Sequence, residues 1–139
     1  MSSHQIEVRI DSDPANLAAV RKAVESFAAN TGALDEPCCG NVGLCLNEIL
    51  ANVIRHAYNN RTDKPIHVRA EVADDLLTVE IRDWGNGIDP TSVPQAPYDP
   101  LTPGGVGLIC IRELMDEVTY HPQSDGMLTR MTKRRPKSQ

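Results

Sequence analysis

The stretch Leu46-Asn47-Glu48-Ile49-Leu50-Ala51-Asn52-Val53-Ile54-Arg55-His56 carries an acid, an amide and an imidazole at four-residue spacing. Wound as an α-helix, it stacks Glu48, Asn52 and His56 on one face, while Leu46, Ile49, Leu50, Val53, Ile54 and Ala57 form the opposite, core-seeking stripe. Two glycine-bearing segments lie downstream. Asp83-Trp84-Gly85-Asn86-Gly87 ends an apolar strand pattern, and Gly104-Gly105-Val106-Gly107 opens a helical one. Together the three segments suit a nucleotide site.

Around this stretch the chain alternates between two periods. Ile6, Val8 and Ile10 read as a half-buried strand, and Ser12-Asp13-Pro14 then offers a cap and a first-turn proline for a helix running to Asn30. Its core face is Leu17, Val20, Val24 and Phe27, and Asn30-Thr31-Gly32 stops it. After a loop with Pro37, the decisive helix is expected from about Cys39 to residues 58–60. Ile66, Val68, Ala70 and Val72, then Leu77, Val79 and Ile81, alternate on either side of Asp74-Asp75 and predict an antiparallel hairpin. The second strand delivers Asp83 to the end of the sheet.

Residues 90–103 contain five prolines and almost no apolar periodicity, and glycine-rich segments flank them on both sides. Such a segment reads as a functional lid rather than an ordinary connector. A third helix is expected behind the glycines, from Val106 through Ile109, Leu114 and Met115. Strands at 118–120 and 127–132 then flank a Gln123-Ser124-Asp125-Gly126 turn. The predicted class is α+β: a two-layer sandwich whose mostly antiparallel sheet carries helices on one face.

At 139 residues and 40% hydrophobic, residues 1–139 are expected to form one domain. The 14 basic and 19 acidic residues, net -5, leave no electrostatic footprint for direct nucleic-acid binding, and aromatics at 4% argue against a base-stacking surface. The basic residues 133–139 read as a solvated, frayed tail. Cys38, Cys39, Cys45 and Cys110 form no CxxC pair and read as structural thiols. Neither a signal-like start nor an apolar run long enough to span a membrane is visible, so a cytoplasmic protein without membrane association is expected.

The chemistry of each segment is specific. Glu48 and Asn52 on one helix face suit phosphoryl transfer, since a carboxylate can accept a proton from the attacking hydroxyl and an amide oxygen can ligate Mg²⁺. The ordinary alternative is a solvated polar stripe, and for His56 a structural role. Asp83 before Gly85 and Gly87 lets a flat base approach the backbone while the carboxylate accepts from an exocyclic amine, which adenine has and guanine lacks at that position. Glycines at a helix start present free N–H groups to phosphates. No Lys-Ser/Thr follows them, so this is not a P-loop.

In order and spacing, Glu48/Asn52, Asp83-Xaa-Gly85-Xaa-Gly87 and Gly104-Gly105-Val106-Gly107 resemble the N, G1 and G2 boxes of the GHKL ATP-binding superfamily. Within it, residues 47–58 and Met115-Asp116-Glu117-Val118 resemble the small anti-sigma-factor serine kinases of bacteria. The resemblance implies a Bergerat ATP-binding fold, Mg²⁺ and ATP as cofactors, and phosphorylation of a serine on a STAS-domain anti-sigma antagonist. It also implies sequestration of a sigma factor and a possible homodimer. Carried over, Glu48 is the base, Asn52 the Mg²⁺ ligand and Asp83 the adenine anchor. Gly85, Gly87, Gly105 and Gly107 are backbone contacts, with His56, Gly104 and Val106 also on the nucleotide side. Two other readings compete: an ATP-gated binding module without significant kinase activity, and a detached histidine-kinase catalytic domain. The last is disfavoured because none of His4, His56, His67 and His121 lies in a phospho-accepting hairpin.

Overall fold

A computed structural model describes residues 4–85, 111 and 113–135. Strand β1 (His4–Asp11) leads through a 3₁₀ turn into helix α1 (Leu17–Asn30). Helix α2 (Glu36–Asn52) follows and continues as a π-turn over Val53–Ala57. Strands β2 (Pro65–Ala73), β3 (Leu76–Asp83), β4 (Glu117–Gln123) and β5 (Gly126–Arg134) complete a five-stranded sheet of order β1-β2-β3-β5-β4 among the described residues. All four pairings are antiparallel. The α+β sandwich expected from the alternating periods is therefore the architecture observed.

Period-two alternation decides which face of the sheet meets the helices. Ile66, Val68, Ala70, Val72, Leu77, Val79, Ile81 and Met131 are buried and face Val20, Val24, Ala28, Val42, Leu46, Leu50 and Val53. The other face is a charged ladder in which Glu7, Arg69, Glu80 and Arg130 stand opposite one another in register. Glu80 receives Arg69 at 3.3 Å and Arg130 at 2.8 Å. Partly exposed pairs of this kind contribute only up to about 1 kcal/mol each, so they pin register more than they stabilise.

The turns follow from local chemistry. Asp74 and Asp75 have φ of 53° and 64°, the left-handed pair that a two-residue hairpin with native twist needs. The β4–β5 turn closes on Gly126 at φ 134°, where a Cβ would lie 2.1 Å from the Asp83 carbonyl oxygen. Glycine is required there on both counts.

Three expectations are corrected. Helix α2 starts at Glu36 rather than near Cys39, because Asp35 caps it by accepting from the Cys38 N–H at 2.9 Å and Pro37 sits in the first turn, where no N–H is needed. The basic segment is not frayed from residue 133. Lys133 and Arg134 end β5, Asp116 lies 3.7 Å from Lys133 Nζ, and its Oδ2 accepts from the Arg134 N–H at 2.6 Å. The continuous helix Glu36–Ala57 is long and apolar enough by composition to cross a membrane, yet 56% of its most apolar stretch is buried inside the fold. Of the expected third helix, Ile111, Glu113 and Leu114 are helical, and the Met115 N–H donates to the Ile111 carbonyl at 3.0 Å.

Candidate functional site

The end of α2 and the end of β3 are joined by one side chain. Tyr58, 5% exposed, follows the π-turn, and its hydroxyl donates to the Pro65 carbonyl at 2.5 Å while accepting from the Trp84 N–H at 2.7 Å. Buried phenols carry such partners because an unpaired hydroxyl is costly. Burial also raises the Tyr58 pKa, opposed by the Trp84 hydrogen bond, so the phenol remains the neutral donor. One hydroxyl thus ties the first residue of β2 and the residue after β3 to the helix.

Asp83 lies beside this tie. It is the last residue of β3, opposite Ile66 on one side and Met127 on the other, and it is fully buried. Its Oδ1 accepts from the Gly85 N–H at 3.1 Å, while its buried Oδ2 has no hydrogen-bond partner among the described residues. Burial pushes its pKa above the usual carboxylate value, against the lowering effect of the Gly85 N–H, Arg82 and the Met127 N–H. A buried acceptor without a donor costs about 1–3 kcal/mol or more when charged, so this oxygen is ready for a donor that the described residues do not supply. Gly85 has a second constraint that spacing alone did not reveal: a Cβ there would sit 2.3 Å from the Ala57 carbonyl oxygen. The backbone after Asp83 is packed directly against the end of α2.

Glu48 and Asn52 lie further up the same helix, both half-buried and one turn apart. At 1.5 Å per residue, Glu48 is about 13 Å along the axis from Ala57, and Asn52 about halfway. Glu48 and Asn52 thus stand along the helix axis away from the end against which Asp83 and Gly85 pack. The Asn52 Oδ1 accepts from Arg55 Nη2 at 2.8 Å. His56 does not continue the row in ideal α-helical phase. The π-turn advances less per residue than an α-helix, and His56 is exposed on it. Tyr58 N–H to Val53 O at 3.1 Å and Asn60 N–H to Ile54 O at 2.8 Å close the helix, with Asn59 and Asn60 at positive φ.

Gly87, Gly104, Gly105, Val106, Gly107 and the lid expected at residues 90–103 lie outside the described residues. Cys38, Cys39 and Cys45 are buried and in no disulfide among the described residues, and burial raises the pKa of Cys38 and Cys39, as befits structural side chains. Cys110 also lies outside the described residues. Three features escaped sequence reasoning. Ser12, fully buried, donates to the Arg61 carbonyl and accepts from the Lys64 N–H at 3.1 Å, which fixes the loop after Tyr58. Thr129, 2% exposed, stands on the inner face of β5 two residues beyond Met127, the cross-strand partner of Asp83. The Tyr58 tie is the third. A tyrosine ending an apolar helix was the available signal for it, while Ser12 and Thr129 had none.

The fold agrees with that of known proteins. The family model described as "Histidine kinase-like ATPase domain" matches residues 10–133. "Serine-protein kinase RsbW" of Bacillus velezensis is 31% identical over 136 residues, covering 92% of this chain and 84% of its own. "Serine-protein kinase RsbW" of Staphylococcus aureus (strain MRSA252) is 29% identical over 137 residues, with 92% and 85% covered. Among solved structures, one of RsbU and RsbW domains from Mycobacterium tuberculosis superposes with a TM-score of 0.69 at 18% identity, over 94% of this chain and 32% of that one. The histidine kinase domain of a blue-light activated histidine kinase from Erythrobacter litoralis gives 0.57 at 21% identity, over 87% and 60%. The chain belongs to the histidine kinase-like ATPase family, among the serine-protein kinases of the RsbW type.

Proposed function

We propose that this chain is an ATP-dependent protein-serine kinase that phosphorylates a STAS-domain anti-sigma antagonist and sequesters a sigma factor by partner switching. The observation that carries the nucleotide reading is the buried, unpartnered Oδ2 of Asp83 at the helix end from which Asn52 and Glu48 rise. Asp83 would accept from the adenine amine, and Gly85 would bring the backbone close to the base. Glu48 would take the proton of the acceptor serine as its Oγ bonds to the γ-phosphorus, the bond to the β,γ-bridging oxygen breaking with its electron pair onto ADP. A carboxylate near the γ-phosphate has no place in a pure nucleotide-binding module, where it only repels.

Among the described residues no three His, Cys, Asp or Glu side chains cluster to hold a metal. The Asn52 Oδ1 is a hard oxygen of the kind Mg²⁺ accepts, and it would serve once Arg55 releases it, with phosphate oxygens and water as the other ligands. Bound Mg²⁺ would neutralise charge on the β- and γ-phosphate oxygens. His56, Gly87, Gly104, Gly105, Val106 and Gly107 complete the proposed nucleotide contacts. The protein would work in the cytoplasm with no direct nucleic-acid or membrane contact, a homodimer being one possible assembly.

The test uses radiolabelled ATP and purified STAS-domain proteins from the same genome. Glu48→Gln should lower single-turnover transfer by roughly 10²- to 10⁴-fold, with calorimetric ATP affinity unchanged or slightly higher. Transfer surviving within about threefold removes Glu48 as the base. Absence of transfer by the wild type to any partner refutes the kinase and leaves an ATP-gated binding module.

A further inference from the structure

Among the described residues only two large apolar side chains are exposed, Trp84 at 42% and Leu44 at 45%. Trp84 adjoins Asp83. Leu44 lies on α2 one turn before Glu48, so the row Gly40, Leu44, Glu48, Asn52 runs along the helix at four-residue spacing. Gly40 is the second observation. Glycine in a helix interior costs about 1 kcal/mol relative to alanine, and a Cβ at Gly40 would have no atom within 4 Å. Internal packing therefore does not demand this glycine. Gly43 on the same helix differs: a Cβ there would press on the Glu25 carboxylate and the Arg21 side chain of α1, so its space is used by the α1–α2 contact. A bare backbone that the chain's own fold does not use is what a second backbone needs for close approach.

We infer that Leu44 and Gly40 form the docking row for the acceptor-serine segment, which lies extended along α2 with an apolar residue two positions from the serine seated on Leu44. This rests on the kinase reading above. The register comes from a match of repeats. Four helical residues rise about 6 Å, close to the roughly 6.5 Å spanned by two residues of a strand. A serine hydroxyl at Glu48 thus places the residue two away at Leu44, and its backbone two further at Gly40. The row then enters a hollow of about 870 Å³ between α1 and α2, lined among others by Glu25, Leu34, Glu36 and Gly40. Glu25 there already faces Arg21 at 3.9 Å, so Glu36 is the carboxylate that favours a basic over an acidic residue at the far end of the segment.

The test takes a STAS-domain protein that the wild type phosphorylates and maps its phosphoserine by mass spectrometry. A residue two positions from that serine, on one side or the other, should be apolar; polar residues on both sides overturn the register. Leu44→Asp should raise KM for that protein about tenfold or more while kcat at saturation stays within about twofold. Gly40→Gln is the control against misfolding, because it should raise the melting temperature by about 2–4 °C while also raising the acceptor KM. Unchanged KM in both variants, with the wild type active, refutes the docking row and leaves the kinase intact. A wild type that transfers to no STAS protein refutes the kinase reading, and the row falls with it.

Discussion

Replacing Asp83 by asparagine should move stability and nucleotide affinity in different directions. The aspartate offers two acceptor oxygens, one serving the Gly85 N–H at 3.1 Å and the other unpartnered. Asparagine offers one oxygen for two donors, so in either amide orientation an N–H faces an N–H, at Gly85 or at the adenine amine. Losing a charge-assisted hydrogen bond and leaving its donor unpaired costs about 1.5–3 kcal/mol, roughly ten- to a hundredfold in ATP affinity. In the nucleotide-free protein the same change removes a buried charge. Stability at neutral pH should therefore be unchanged or higher by on the order of 1 kcal/mol, a few degrees in melting temperature. The pH dependence has a fixed sign. Because burial raises the folded-state pKa of Asp83, its contribution to the free protein is fully present below the ordinary value of 3.8 and is lost as pH rises through the raised value. ATP binding favours the carboxylate, so affinity should fall as acid protonates Asp83 and reach a plateau above its free-state pKa. Calorimetry with ATP and GTP, paired with thermal melts across pH for both forms, measures each quantity. ATP affinity unchanged in Asp83→Asn refutes the adenine role, and a strongly destabilised free protein refutes the claim that Oδ2 is held unpartnered at a cost.

Tyr58→Phe should lose about 1–3 kcal/mol of stability, because the Pro65 carbonyl and Trp84 N–H both lose their partner, and it should weaken ATP binding with the Asp83–Gly85 backbone released. Denaturant melts and calorimetry check it; ATP affinity within twofold of wild type would mean the tie is not needed to place Asp83. Gly85→Ala puts a Cβ 2.3 Å from the Ala57 carbonyl oxygen and should cost about 1–3 kcal/mol, whereas Gly40→Ala, in open space, should stabilise. Equal effects at the two sites in thermal melts would contradict this packing account. Asn52→Ala should weaken ATP binding with Mg²⁺ present and change little in EDTA, and an equal loss in both conditions would point instead to damage to α2, whose amide also engages Arg55.

Much of this protein is local in its chain. The strands announce themselves by alternation, because a residue's face of the sheet depends only on its parity, and the hairpins by Asp74-Asp75 and Gly126. Glu48 and Asn52 sit one turn apart on any α-helix, so their shared face was legible at once, as was the position of Asp83 at a strand end. The start of α2 is not legible locally, because Pro37 reads as loop until its first-turn position is known. Four-residue spacing puts His56 in the row only if the α-helix is unbroken, and no residue in Val53–Ala57 advertises the π-turn.

The sequence by itself determined the α+β class, the alternation that builds the sheet and the residues offered to the site, because these depend on periodicity and residue chemistry along a few neighbouring positions. Only the tertiary structure decided that β3 ends against α2, that Gly85 meets Ala57, that Tyr58 bridges Pro65 and Trp84, and that one Asp83 oxygen is buried without a donor. Each of these joins groups up to tens of residues apart, and burial and satisfaction of a polar atom are properties of everything packed around it rather than of its own segment.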